Sequence, residues 1–137
     1  MLYTILCYHS EKVVAGWTPH QDETVMEKLA GIQTKLAQQG KLGPVVRLMP
    51  TGTATTLRKE PTPVVLDGPF AETKEQLLGF YVVNVGSQDE AAAIARELAA
   101  VNPGGGCYEI RPVMVINPVH SGLLPAGATT QVAAGAS

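Results

Sequence analysis

Large apolar side chains fall in short runs separated by polar, glycine-rich and proline-rich stretches, and the spacing inside each run predicts an element. Leu2–Tyr8 (LYTILCY) is rich in β-branched and aromatic residues, too short for a helix and apolar on both alternating faces, which predicts a buried strand. From His20 to Gln39 the residues Val25, Met26, Leu29, Ile32 and Leu36 recur at helical spacing. Asp22 and Glu23 lie near the positive end of the helix dipole, and Gly40 stands just past the other end. Gly and Pro interrupt KLGPVVRLMPTGT and break any long element there, whereas ATTLR and PVVLD flank the turn-rich KEPT and predict a hairpin. Leu77–Val85 (LLGFYVVNV) is a further apolar run with little contrast between its faces, as a central strand requires. Ser87 and Glu90 stand at capping-box spacing before AAAIARELAAV, where Ile94 and Leu98 share a side, and NPGGG ends that helix. Cys107–Ile116 (CYEIRPVMVI) reads as the last strand, with Glu109 and Arg111 on one face and Tyr108, Ile110 and Met114 on the other. Pro112 limits its pairing and marks an edge or a bulge.

The order strand, helix, strand, strand, then strand, helix, strand is the split βαβ arrangement of an α+β, ferredoxin-like fold with an antiparallel sheet. Two helices cover one face of such a sheet, yet its first and central strands are apolar on both. The economical cover for the second face is the same sheet from another copy, which predicts a homodimer with a cavity between facing sheets. The domain is expected to span 1–116. Residues 117–137 shift to Gly, Ala, Pro, Ser and Thr and read as a tail that is flexible or strapped over a neighbour.

Composition narrows the function. With 137 residues the chain makes one domain, and a formal charge of −2 without a Lys/Arg cluster argues against nucleic acid as a partner. Neither a signal peptide nor a membrane-length apolar run is visible, so the expected location is cytoplasmic, with no membrane partner. Cys7 and Cys107 lie in apolar runs and read as small buried hydrophobes in a reducing compartment; a disulfide requires their strands to be neighbours. His9, His20 and His120 have no metal-ligand spacing, so no metal and no cofactor are expected. PGGG (103–106) follows a helix and lacks a Lys-Ser/Thr pair, which makes it a terminating loop and not a phosphate loop.

The stretch Leu66–Val83 (LDGPFAETKEQLLGFYVV) is the chain's least ordinary. Asp67-Gly68 signals a tight turn, but the backbone N–H an Asx-turn would use belongs to Pro69, which has none. Asp67 must find another partner: Phe70 N–H, a cation, water or a ligand. Phe70 reads as an apolar anchor, and Thr73 with Gln76 stands at capping-box spacing for a short helical turn carrying Lys74 and Glu75. The blocks TATTLR, DGPFAETKEQLLGFYVV and YEIRPV, in this order and spacing over Met1 to Ile116, resemble the DGPF-type, YCII-related protein family. That resemblance implies a dimeric α/β barrel of ferredoxin-like subunits, similar in architecture to muconolactone isomerases and small antibiotic-type monooxygenases. Some members carry a His and Asp pair in the cleft, and DGPF-type members are often encoded beside extracytoplasmic-function sigma factors.

Each candidate has two readings. Asp67 is either a turn residue or a cleft carboxylate acting as general base, tuned by Lys74 or Arg111. Glu72 is either solvated or turned inward as its proton-sharing partner. Arg58 and Arg111 either bind a substrate carboxylate or form salt bridges. His9 is a polar strand end or a catalytic group at a cleft mouth, and Tyr81 is a core residue or a phenol in a cavity. The leading expectation is a small-molecule-binding protein or cofactor-independent, isomerase-like acid/base enzyme with its cleft near the DGPF loop: catalytic Asp67, Glu72 and His9, substrate-binding Arg58, Phe70, Lys74, Tyr81 and Arg111. The alternative is a non-catalytic regulatory protein partnered with a sigma factor.

Overall fold

The computed structural model describes residues 1–117; the tail expected beyond Asn117, and His120 with it, lie outside those residues. β1 (Leu2–His9) and β5 (Gln76–Asn84) form the centre of a four-stranded antiparallel sheet ordered β2-β5-β1-β6, with β2 (Leu42–Arg47) and β6 (Cys107–Pro112) at the edges. The two long helices, α2 (Pro19–Gln38) and α3 (Gln88–Val101), pack on one face, so the mixed α+β, ferredoxin-like expectation holds. Tyr3, Ile5, Tyr81 and Val83 of the sheet meet Val25, Leu29 and Leu36 of α2 and Ala91, Ile94 and Leu98 of α3. Ile5, Leu36, Leu98 and Val83 are wholly enclosed, each contributing about 1.5–3 kcal/mol of burial free energy.

Capping residues set the helix limits. α2 begins at Pro19, one residue before the predicted start, because Thr18 and Gln21 close a reciprocal capping box ahead of it. Ser87 accepts from Glu90 N as expected at α3, but the Glu90 carboxylate takes Gly86 N (2.8 Å). A five-residue helix that the periodicity does not reveal, α1 (Glu11–Ala15), follows β1 with Ser10 as its N-cap.

The middle of the chain departs most from the sequence expectation. KLGPVVR, broken by Gly43 and Pro44, is nevertheless the edge strand β2. Its register slips between Leu42 and Val45, which accommodates the proline, and Gly43 lies where a Cβ would come within 2.9 Å of Val82 O. The predicted hairpin exists as β3 (Thr55–Arg58) and β4 (Val64–Asp67), but as a separate two-stranded ribbon outside the main sheet. No helical turn forms at Thr73. Gln76 Nε2 donates to Thr73 O, while Gln76 Oε1 accepts from Glu11 N (2.9 Å). Phe70 does not anchor its loop either, since its side chain is 73% exposed.

Antiparallel partners share a face, so the register sorts the sheet. Val45, Tyr81, Ile5 and Ile110 form one row toward the helices, and Val46, Phe80, Leu6 and Glu109 the adjacent row away from them. Among the described residues no helix covers that second face. Cys7 lies opposite Tyr108, and Cys107 opposite Tyr8, so the thiols point to opposite faces of neighbouring strands; both are free, and Cys107 is exposed where the sequence suggested burial.

Candidate functional site

One row of the helix-facing surface is poorly filled. Arg47, Gly79, Cys7 and Tyr108 stand side by side there, and with no side chain at Gly79 and a small one at Cys7 the row leaves space beneath α2. Gly79 is required by a close approach, since a Cβ would lie 2.1 Å from Val46 O. The space is a cavity of about 320 Å³ between sheet and helices. Its apolar wall comes from Met26 and Leu29 of α2, Val45 of β2, Val14 of α1 and Trp17 just after it, and its polar groups include Gln33, Asn102 and the glycines of the α3–β6 loop.

His9, at the end of β1, closes one side. It is 5% exposed, lies edge-on to Trp17 with ring centroids 6.1 Å apart, and its Nε2 is 3.3 Å from Pro103 O. A carbonyl only accepts, so Nε2 carries the hydrogen and Nδ1 presents a lone pair. That buried Nδ1 has no partner among the described residues. Gly104 packs directly on the ring: its φ is +103°, and a Cβ there would lie 2.8 Å from His9 Nε2. Asn102 Nδ2 donates to the Tyr108 hydroxyl (3.2 Å), which leaves Asn102 Oδ1 a second buried acceptor without a described partner. Orphaned buried acceptors are expensive, about 1–3 kcal/mol each, unless something fills them.

Three titratable groups of the wall, Cys7, Tyr81 and Tyr108, are held in their neutral forms by burial. Burial pushes the Cys7 thiol up to about 12. Burial also pushes the Tyr81 phenol up to about 12, against a lowering hydrogen bond from Gln33, and raises Tyr108 against a hydrogen bond from Asn102. Arg47, the cation at the rim, pairs with Asp22 at 3.0 Å. The cavity can therefore receive a largely apolar, uncharged molecule and offer it one unoccupied base.

The residues singled out by sequence divide among three places. His9 and Tyr81 line the cavity. Asp67 ends β4, and Glu72, Phe70 and Lys74 follow it in the exposed bend; no described residue hydrogen-bonds the Asp67 side chain. Arg58 neither faces the cavity nor forms an ion pair among the described residues; its Nη2 donates to Phe70 O (3.2 Å) and so braces the bend. Arg111 is exposed on β6 opposite Thr4, on the uncovered face, and the described residues give it no salt bridge either. A single chain thus keeps the DGPF segment apart from the cavity. Trp17, Gln33 and Asn102 were not singled out by the sequence, which read Cys7 and Tyr108 only as apolar strand positions and PGGG only as a helix stop. No helix of the described residues is long and apolar enough to cross a membrane.

The model of the YCII-related domain matches residues 1–117. An uncharacterised protein of Rhizobium meliloti (strain 1021) is 51% identical over 119 residues, an alignment covering 86% of this chain and 96% of that relative.

Proposed function

The chain belongs to the YCII-related domain family, and on that premise we propose that its cavity binds a neutral small molecule, with His9 as proton acceptor in a cofactor-independent, isomerase-like step. The observation that carries this reading is the buried His9 Nδ1 without a described partner. A ligand hydroxyl, or an acidic C–H beside a carbonyl, would give its proton to Nδ1. Pro103 O accepts from Nε2–H before and after that transfer, so the ring gains charge without turning. Met26, Leu29 and Trp17 supply the apolar walls that desolvate such a ligand. The same reading makes the chain half of a homodimer, because the row Val46, Phe80, Leu6 needs a cover that its own helices do not supply.

A thermal-shift screen tests the site, since a ligand of the native state raises the melting temperature. Phenols and quinones should raise it and small carboxylates should not. His9→Gln should remove the shift while circular dichroism reports an intact fold. Full retention of the shift in His9→Gln, with loss in Asp67→Asn, would move the base to the DGPF segment and discard the cavity as the site.

A further inference from the structure

Two polar groups of the cavity wall are held by one dipeptide. Asn102 and Pro103 follow α3 and reach two neighbouring strands: Pro103 O accepts from His9 Nε2 on β1, and Asn102 Nδ2 donates to the Tyr108 hydroxyl on β6 (3.2 Å). The register keeps the two groups close. Tyr108 stands opposite Cys7, two residues before His9 and so about 7 Å from it along the strand. Tyr81, the other raised phenol of the wall, stands opposite Ile5, two residues further away.

Hydrogen-bond accounting gives the two groups complementary roles. The Tyr108 oxygen accepts from Asn102, so its single hydrogen is spare, and no described residue accepts it. Burial keeps that hydrogen on the oxygen. His9 Nδ1 is the converse, a buried lone pair with no described donor. One acid hydrogen and one basic lone pair therefore line the same apolar space. Accepting from the amide also polarises the phenol and makes its O–H a stronger donor.

We propose that Tyr108 is a further catalytic residue, donating a hydrogen bond to a ligand carbonyl oxygen while His9 Nδ1 takes a proton from the adjacent carbon. The inference rests on the His9 reading above and narrows its substrate class to neutral ketones and related carbonyl compounds with an acidic neighbouring C–H. The electron pair of that C–H bond becomes the C=C bond of an enolate, the carbonyl π pair moves onto oxygen, and the proton rests on Nδ1. Return of the proton to the γ carbon of a conjugated enolate completes an isomerisation with no co-reactant. Charge builds on the oxygen only as the C–H bond breaks, so the phenol stabilises the transition state more than the bound ketone. Volume sets the size: a dry cavity of about 150 Å³ accepts one benzene ring, and a cavity of about 320 Å³ accommodates two fused rings.

β-Tetralone, a two-ring ketone with acidic C–H groups beside its carbonyl, is the probe, and its deuterium uptake in deuterium oxide, followed by proton NMR, reports the abstraction step. The unsubstituted protein should accelerate uptake above the buffer rate, and His9→Gln should abolish the acceleration. Tyr108→Phe should lower kcat for exchange by about 100-fold or more with KM little changed, while its circular dichroism and its thermal shift with β-tetralone remain those of a folded, binding protein. Asn102→Leu leaves the phenol in place without its polarising partner and should lower kcat by about fivefold, again at constant KM. Unchanged kcat in both variants would overturn the role of Tyr108 and leave His9 as the base. No acceleration by the unsubstituted protein would overturn both.

Discussion

Gly104 couples a backbone choice to a side-chain function. Its positive φ suits glycine, and the missing Cβ lets the Pro103 carbonyl and the loop close over His9. Gly104→Ala should lower stability by about 1–3 kcal/mol in urea unfolding, and should weaken the ligand-induced thermal shift as the ring is displaced. An unchanged unfolding midpoint would mean the loop does not press on the histidine. The sequence shows PGGG as a helix stop, which it is, but the reason for glycine at 104 and 106 is tertiary: Cβ atoms would meet His9 and the Tyr8 carbonyl. His9 and Tyr81 were legible because strand ends and phenols in apolar runs stand out. Gln33 is an ordinary helical polar residue and Asn102 an ordinary helix stop until folding turns them inward.

At the level of elements, the long periodic segments were readable and the short ones were not. α2, α3, β1 and β5 bury enough side chains to stamp a period on the sequence, whereas β2 hides behind Gly43 and Pro44 and α1 is too short to have one. The role of α1 emerges only from its contacts. The Glu11 carboxylate accepts from Thr51 N (2.7 Å) and from the Thr51 hydroxyl, while Glu11 N donates to Gln76 Oε1. This residue thereby ties down both roots of the hairpin, the turn at Thr51–Thr53 and the start of β5. Glu11→Ala leaves Thr51 N without its acceptor, a loss of about 1–3 kcal/mol. Amide exchange at Thr53, Ala54 and Gln76 should accelerate about tenfold or more, while the amides of α3 keep their protection. Uniform acceleration across the chain would instead indicate global destabilisation.

Across the whole molecule, stability should depend on pH through the cavity. Cys7 and Tyr81 are held protonated to about 12 in the folded chain, against ordinary values of 9.0 and 10.0, and Tyr108 is raised in the same direction. Above pH 9 the unfolded chain has lost protons that the native chain still holds, so stability is full below that value and falls as pH rises toward about 12. Urea midpoints from pH 8 to pH 11 should decline progressively in consequence. Cys7→Ser should flatten the slope by about one proton's worth, and an unchanged slope would show that the thiol is not shielded. The overall architecture was legible because the order of elements leaves few ways to build a sheet; the separate course of the hairpin was not, because adjacency in sequence suggests pairing with the main sheet.

That hairpin leaves the sheet after β2 and returns at β5, two strands that are already bonded neighbours. Its length and composition can therefore drift without disturbing the layer that encloses His9. Mutation can reshape the exposed ribbon on one stretch of the gene without touching the residues that wall the cavity on another.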